Sequence, residues 1–131
     1  MALLRRVLAT AYGGRRAATL TVLLAGERRM RMLNRRFRGR RGLTDVLAFG
    51  GEKTAGAFHL GDIAVCVPVA KREAQRRRIP VSHELCLYAL HGLLHLLGWH
   101  DKRPRERRAM AVAAARCFRR LGLSVAWIFC P

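Results

Sequence analysis

Apolar positions along this chain follow two rhythms. Residues 2 to 12 put Leu3, Leu4, Val7 and Leu8 on one side of a helix, and Gly13 and Gly14 break it. Residues 17 to 26 form an aliphatic, β-branched run that predicts a buried strand. Residues 27 to 39 place Met30, Leu33, Asn34 and Phe37 at helical spacing among arginines, with Gly39 as the stop. A short strand over 45–50, a polar, glycine-bearing connection and a strand over 59–67 follow. Pro68 then suits the first turn of a basic helix over 68–78. A long helix runs from Ser82 to Leu97 before Gly98, and a last one over 103–122 ends at Gly122. The remaining apolar tail is too short to span a membrane.

No repeat or linker divides the chain, so residues 1–131 read as one compact domain. Strands interleaved with helices predict an α+β fold. The expected form is a small mixed sheet of three to four strands covered by about five helices.

Charge narrows the class of partner. Lys and Arg number 26 against 8 Asp and Glu, a formal net charge of +18, while 51% of the residues are hydrophobic. The chain can therefore build a core, yet its surface attracts polyanions, nucleic acid first and an anionic membrane second. Only Lys53, Lys71 and Lys102 are lysines; a GC-rich coding sequence would explain arginine in place of lysine, but not so few acids. No dense aromatic platform interleaves the arginines, so nucleic acid would be held mainly through its backbone.

Cys66, Cys86, Cys117 and Cys130 form no close pair and predict neither a disulfide framework nor a cysteine-rich zinc site. Arg5 and Arg6 interrupt what would be the apolar region of a signal peptide. The same acid-free start also fits a transit peptide, with a reducing cytoplasm as the default compartment.

The stretch "HGLLHLLGWHD", 91 to 101, threads imidazoles through the most apolar helix. A helix apolar nearly all round belongs in the middle of a fold. His91 and His95 are one turn apart on one face, and buried imidazoles need partners. A divalent metal bound by both predicts a metal site on this central helix. A single such histidine would more often be a satisfied core residue. Gly98 and Asp101 follow His95 in the spacing that zinc proteases of the HExxHxxGxxH type use to return a third ligand after a glycine turn. Position 92 is Gly rather than Glu, so the protease base is missing. The third ligand is expected to be Asp101. The competing reading has His100 bind the metal while Asp101 caps the helix that begins near Arg103.

"LHGLLHLLGWHD" resembles the signature of the YbeY endoribonucleases. "LNRRFRGRRGLTDVLAF", 33 to 49, and "LGDIAV", 60 to 65, resemble two further blocks of that family, in the same order. The resemblance spans about residues 18 to 122 and implies a single α+β domain. It implies a metal-dependent, single-strand-specific endoribonuclease acting in ribosomal RNA maturation and ribosome quality control. RNA and the ribosome would be its partners and one divalent ion, expected to be Zn2+, its cofactor, although imidazole and carboxylate ligands suit several ions. By the same resemblance the ligands fall on His91, His95 and Asp101, and the functionally important arginine on Arg38. Asp101 stands where most members carry His, Ala48 where Ser is usual, and the N-terminal part is short for the family.

By residue type alone Arg38 is one more solvated arginine; only the resemblance singles it out. Asn34 reads as a local brace, and Thr44 and Asp45 as turn residues. Asp62 is expected to orient a neighbour, with a place behind a site histidine as the sharper alternative. Glu84 and His83 are the only acid and extra imidazole near the ligand helix, and the residues assign no general base. Two other classes compete with the nuclease. One is a non-catalytic ribosome- or RNA-binding protein with a structural metal; the other is a metallopeptidase, which Gly92 disfavours.

Overall fold

The computed structural model describes residues 2–13, 16–51, 53–54 and 57–129. Gly14, Cys130 and part of the connection expected after residue 50 lie outside the described residues. Helix α1 (Ala2–Tyr12) leads to strand β1 (Thr19–Ala25), helix α2 (Glu27–Arg38) and strand β2 (Val46–Gly50). The short β3 (Lys53–Thr54) and the long β4 (Ala57–Cys66) come next, then α3 (Val67–Arg77), α4 (Val81–Leu96) and α5 (Pro104–Arg120). A 3-10 turn over Ala126–Phe129 closes the described chain and buries Trp127, a feature the sequence pattern left as a plain tail.

β4 is the centre of a mixed sheet of order β1-β4-β2, parallel to β1 and antiparallel to β2, with β3 paired to its first residues. It contributes to both cores because alternate residues point to opposite faces. Ile63 and Val65 join the large cluster beneath α1, α4 and α5. Ala64 and Cys66 face the smaller cluster that holds Met30 of α2 and Leu47 of β2. β1 is an edge strand, with Leu24 42% exposed, so the buried strand expected over 17–26 is corrected to a half-covered edge.

α4 is buried from Glu84 to Leu90 and from Gly92 to Leu94, packed against β2, β4 and three helices. A Cβ built on Gly92 would lie 2.8 Å from Cγ2 of Ile63, so this glycine lets the helix lie directly on the central strand. Glu84 is fully buried and accepts a bond from Arg77 Nη1 at 3.0 Å, tying α3 to α4. Burial raises its carboxyl above the usual range despite the opposing pull of Arg77. Cys66, Cys86 and Cys117 are free and buried, as small apolar residues would be. No helix among the described residues is long and apolar enough to cross a membrane.

Candidate active site

A cavity of about 850 Å³ opens along the free edge of β2, between the C-terminal ends of α2 and α4. Arg38, Asp45, His95 and Asp101 line it, with Asn34 and Arg40 beside them. The local sequence explains how each arrives there. α2 ends at Gly39, whose left-handed φ of 64° lets the chain reverse while its N–H and that of Arg40 bond carbonyls of the last turn. Buried Asn34 donates to the Gly42 carbonyl at 3.2 Å and braces the loop that leads into β2. Asp45 Oδ1 accepts from the Val46 N–H at 2.8 Å and from the Thr44 hydroxyl at 3.4 Å. The turn role expected of Thr44 and Asp45 is therefore present, and Asp45 in addition puts an anion on the cavity wall.

Arg38 is held across the cavity wall. Its Nη2 donates to the Ala48 carbonyl, and its guanidinium lies 5.4 Å from the Phe49 ring centre. The contact to residue 48 is through the backbone, so alanine there in place of serine leaves it untouched. A guanidinium carries five N–H donors in a planar fork, which leaves capacity for an oxyanion.

α4 ends in a Schellman turn. Trp99 N–H bonds the Leu94 carbonyl at 2.9 Å, Gly98 N–H bonds the His95 carbonyl at 3.0 Å, and Gly98 takes a φ of 98°. This turn brings the following segment back over His95. His95 Nδ1 donates to the Trp99 carbonyl at 3.1 Å, which fixes that proton on Nδ1. Nε2 then faces Oδ2 of Asp101 at 3.3 Å. A neutral ring would set a lone pair against a carboxylate, and only positive charge at or between the two atoms satisfies both. The donor chemistry thus fits a cation, whether proton or metal ion.

Asp101 is not occupied as a helix cap: Glu106 Oε1 accepts the Arg103 N–H at 2.9 Å at the start of α5. Arg107 donates to the carbonyls of Asp101 and Lys102, at 3.3 and 2.9 Å, and ties down the return segment. His100 is exposed. His91, one turn before His95, lines a separate hollow of about 220 Å³ that also touches Asp101 and Arg107. Burial holds the His91 imidazole below its usual pKa, with Asp45 opposing, so it stays neutral and keeps a lone pair.

Among the described residues no three of His, Cys, Asp or Glu converge closely enough to hold a metal. The structure joins His95 to Asp101 and places His91 alongside without closing the set. Asp62 pairs with His59 at 2.9 Å on the exposed side of β4, so it orients a neighbour as expected, and it lines neither hollow that holds the site histidines. Glu84, the acid noted near the ligand helix, is held in the α3–α4 ion pair and does not line the cavity. Arg40 and Arg107 were missed. Nothing in local sequence separates them from the other arginines, since only the loop and the return segment bring them to the site.

A family model described as Endoribonuclease YbeY matches residues 2–122. The chain belongs to the YbeY family. An Anaeromyxobacter sp. (strain Fw109-5) protein named Endoribonuclease YbeY is 43% identical over 111 residues, which cover 84% of this chain and 58% of that relative. A Gloeobacter violaceus protein of the same name is 38% identical over 118 residues, 85% of this chain and 61% of the relative. The chain therefore spans about three fifths of the length of these YbeY relatives. The solution structure of a Thermotoga maritima protein, 23% identical, superposes with a TM-score of 0.61 over 92% of this chain and 82% of that one, a likeness of fold. The three sequence blocks that resemble YbeY proteins supply the second half of α2 with the loop and β2, the stretch of β4 that pairs with both β1 and β2, and the end of α4 with its return segment. The first and last of these form the cavity.

Proposed function

We propose that this protein is a metal-dependent endoribonuclease that hydrolyses phosphodiester bonds in single-stranded ribosomal RNA. It would act in the cytoplasm, in rRNA maturation and ribosome quality control. One observation carries the reading: Arg38 shares a single cavity with His95 and Asp101, whose facing atoms call for a cation. The names of the relatives support the reaction class, and the surplus of basic residues supports a polyanionic substrate.

His91, His95 and Asp101 would hold the ion, and two imidazoles with a carboxylate are a ligand set that Zn2+ accepts. Such an ion supplies a bound water of lowered pKa and a Lewis acid for a phosphoryl oxygen. The chain's own groups do the remaining work. Arg38 binds a non-bridging oxygen and stabilises the charge that grows on it during attack. The Trp99 carbonyl keeps the His95 proton on Nδ1 and so leaves Nε2 available. Burial keeps His91 unprotonated. Arg107 holds the Asp101 segment against the end of α4.

The test is cleavage of single-stranded ribosomal RNA by protein stripped with chelator, then restored with Zn2+ or Mn2+, beside Arg38→Ala and Arg38→Lys. The reading expects activity only with metal, a severe loss in Arg38→Ala with metal content unchanged, and impairment in Arg38→Lys. Stoichiometric metal with no RNA cleavage under any condition would replace it with a ribosome- or RNA-binding role for a structural metal.

A further inference from the structure

Phe37 stands on the last turn of α2, beside the cavity, with 56% of its surface exposed. Its ring meets Phe49, a cavity-lining residue, edge-on, with centroids 5.3 Å apart and planes inclined at 61°. The Arg36 guanidinium lies 5.4 Å from the Phe37 ring centre, and that of Arg38 lies 5.4 Å from the Phe49 ring centre. Arginine-rich composition gave no hint of an aromatic surface, but the chain reversal at Gly39 sets these rings together. Met30, two turns earlier on the same helix, is fully buried. Phe37 instead keeps its ring exposed, next to cationic groups and against Phe49 of the cavity wall.

We propose that Phe37, braced by Phe49, is a stacking platform for an unpaired nucleobase adjoining the phosphate that Arg38 binds, and that it sets the preference for single strands. The proposal rests on the RNA-cleavage reading above. A base offers a flat π-face that pairs with an exposed ring, and every base offers one, so the contact tolerates sequence. The neighbouring guanidinium groups meet the phosphates on either side of it. Rings inclined at 61° cannot accept two bases that remain stacked on each other. They suit a strand whose bases are splayed, and a paired base inside a duplex presents no free face. Selection for single strands then follows from access to Phe37, without any hydrogen bond to a base edge.

The experiment compares the unaltered chain with Phe37→Leu and Phe37→Trp. Leucine retains apolar contact with Phe49 and removes the ring. Binding of fluorescein-labelled oligoadenylate, and of the same strand annealed to its complement, is followed by anisotropy in chelator, so that cleavage does not intervene. Phe37→Leu should weaken the single strand about 5- to 100-fold while duplex binding hardly changes. Phe37→Trp should bind the single strand at least as well as the unaltered chain, and RNA should quench its emission beyond that of Trp99 and Trp127 in the unaltered chain. Equal weakening of single strand and duplex, unchanged binding in Phe37→Leu, or no added quenching in Phe37→Trp would each overturn the platform. The two readings fail separately. A chain that binds as described but cuts no RNA keeps the platform and loses the nuclease. A chain that cuts RNA while Phe37→Leu binds and cuts equally well keeps the nuclease and loses the platform.

Discussion

Gly92 lies between the two site histidines, at the point where α4 touches the central strand. Adding one methyl there opposes two effects of similar size. Alanine favours a helix interior over glycine by about 1 kcal/mol. Its Cβ, however, would meet Ile63 at 2.8 Å from Cγ2 and 3.1 Å from both Cγ1 and Cδ1, inside contact distance for three atoms. Ile63 is 1% exposed on a strand paired on both sides, so it has little room to yield. Overpacking of this kind costs about 1–3 kcal/mol. Gly92→Ala should therefore range from neutral to about 2 kcal/mol destabilising. The sharper expectation is its coupling to Ile63. Ile63→Ala removes all three clashing atoms and by itself costs about 2–5 kcal/mol. In that background Gly92→Ala should become stabilising by up to about 1 kcal/mol, a coupling of about 1–3 kcal/mol. Urea unfolding of the four variants, with slopes fitted individually, measures this. If Gly92→Ala has the same effect in both backgrounds, close packing against Ile63 is not why glycine stands between the histidines.

Asp101→Ala should lose bound metal on dialysis, Asp101→His should keep it, and His100→Ala should behave as the unaltered chain; metal loss in His100→Ala alone would transfer the ligand role. Arg28, Arg31 and Arg35 lie exposed on α2 at spacings of three and four residues leading toward Arg38, so they share a helical stripe. Changing all three to Gln should weaken single-stranded RNA binding and flatten its log–log salt dependence by about 0.7 for each phosphate no longer neutralised, and an unchanged slope would exclude that stripe. Arg77→Met would leave Glu84 buried without its ion pair and should cost about 3–5 kcal/mol at neutral pH. Burial already raises the folded-state pKa of Glu84 above its unfolded value of 4.5, and removing Arg77 raises it further. The folded state then binds a proton before the unfolded one does, so the deficit should shrink as pH falls toward 4.5; a deficit independent of pH would refute the account.

The sequence by itself determined the elements whose signals are local. Apolar spacing marked α2 and α4, and Gly39 and Gly98 stop them in left-handed conformations that only local geometry requires. The His91, His95 and Asp101 spacing pointed to the end of α4, and the three blocks pointed to the family. What only the tertiary structure decided depends on which surfaces meet. β1 became an edge because β4 takes the central place, a choice among pairings that its aliphatic run could not express. Asp62 faces outward because strand register sets its side. Glu84, read near the ligand helix, is claimed by Arg77 of a neighbouring helix. Arg40 and Asp45 reach the cavity on the loop after α2, Phe37 meets Phe49 across that loop, and Arg107 of α5 meets the return segment; a side chain's distance across such a turn is not written in its spacing along the chain.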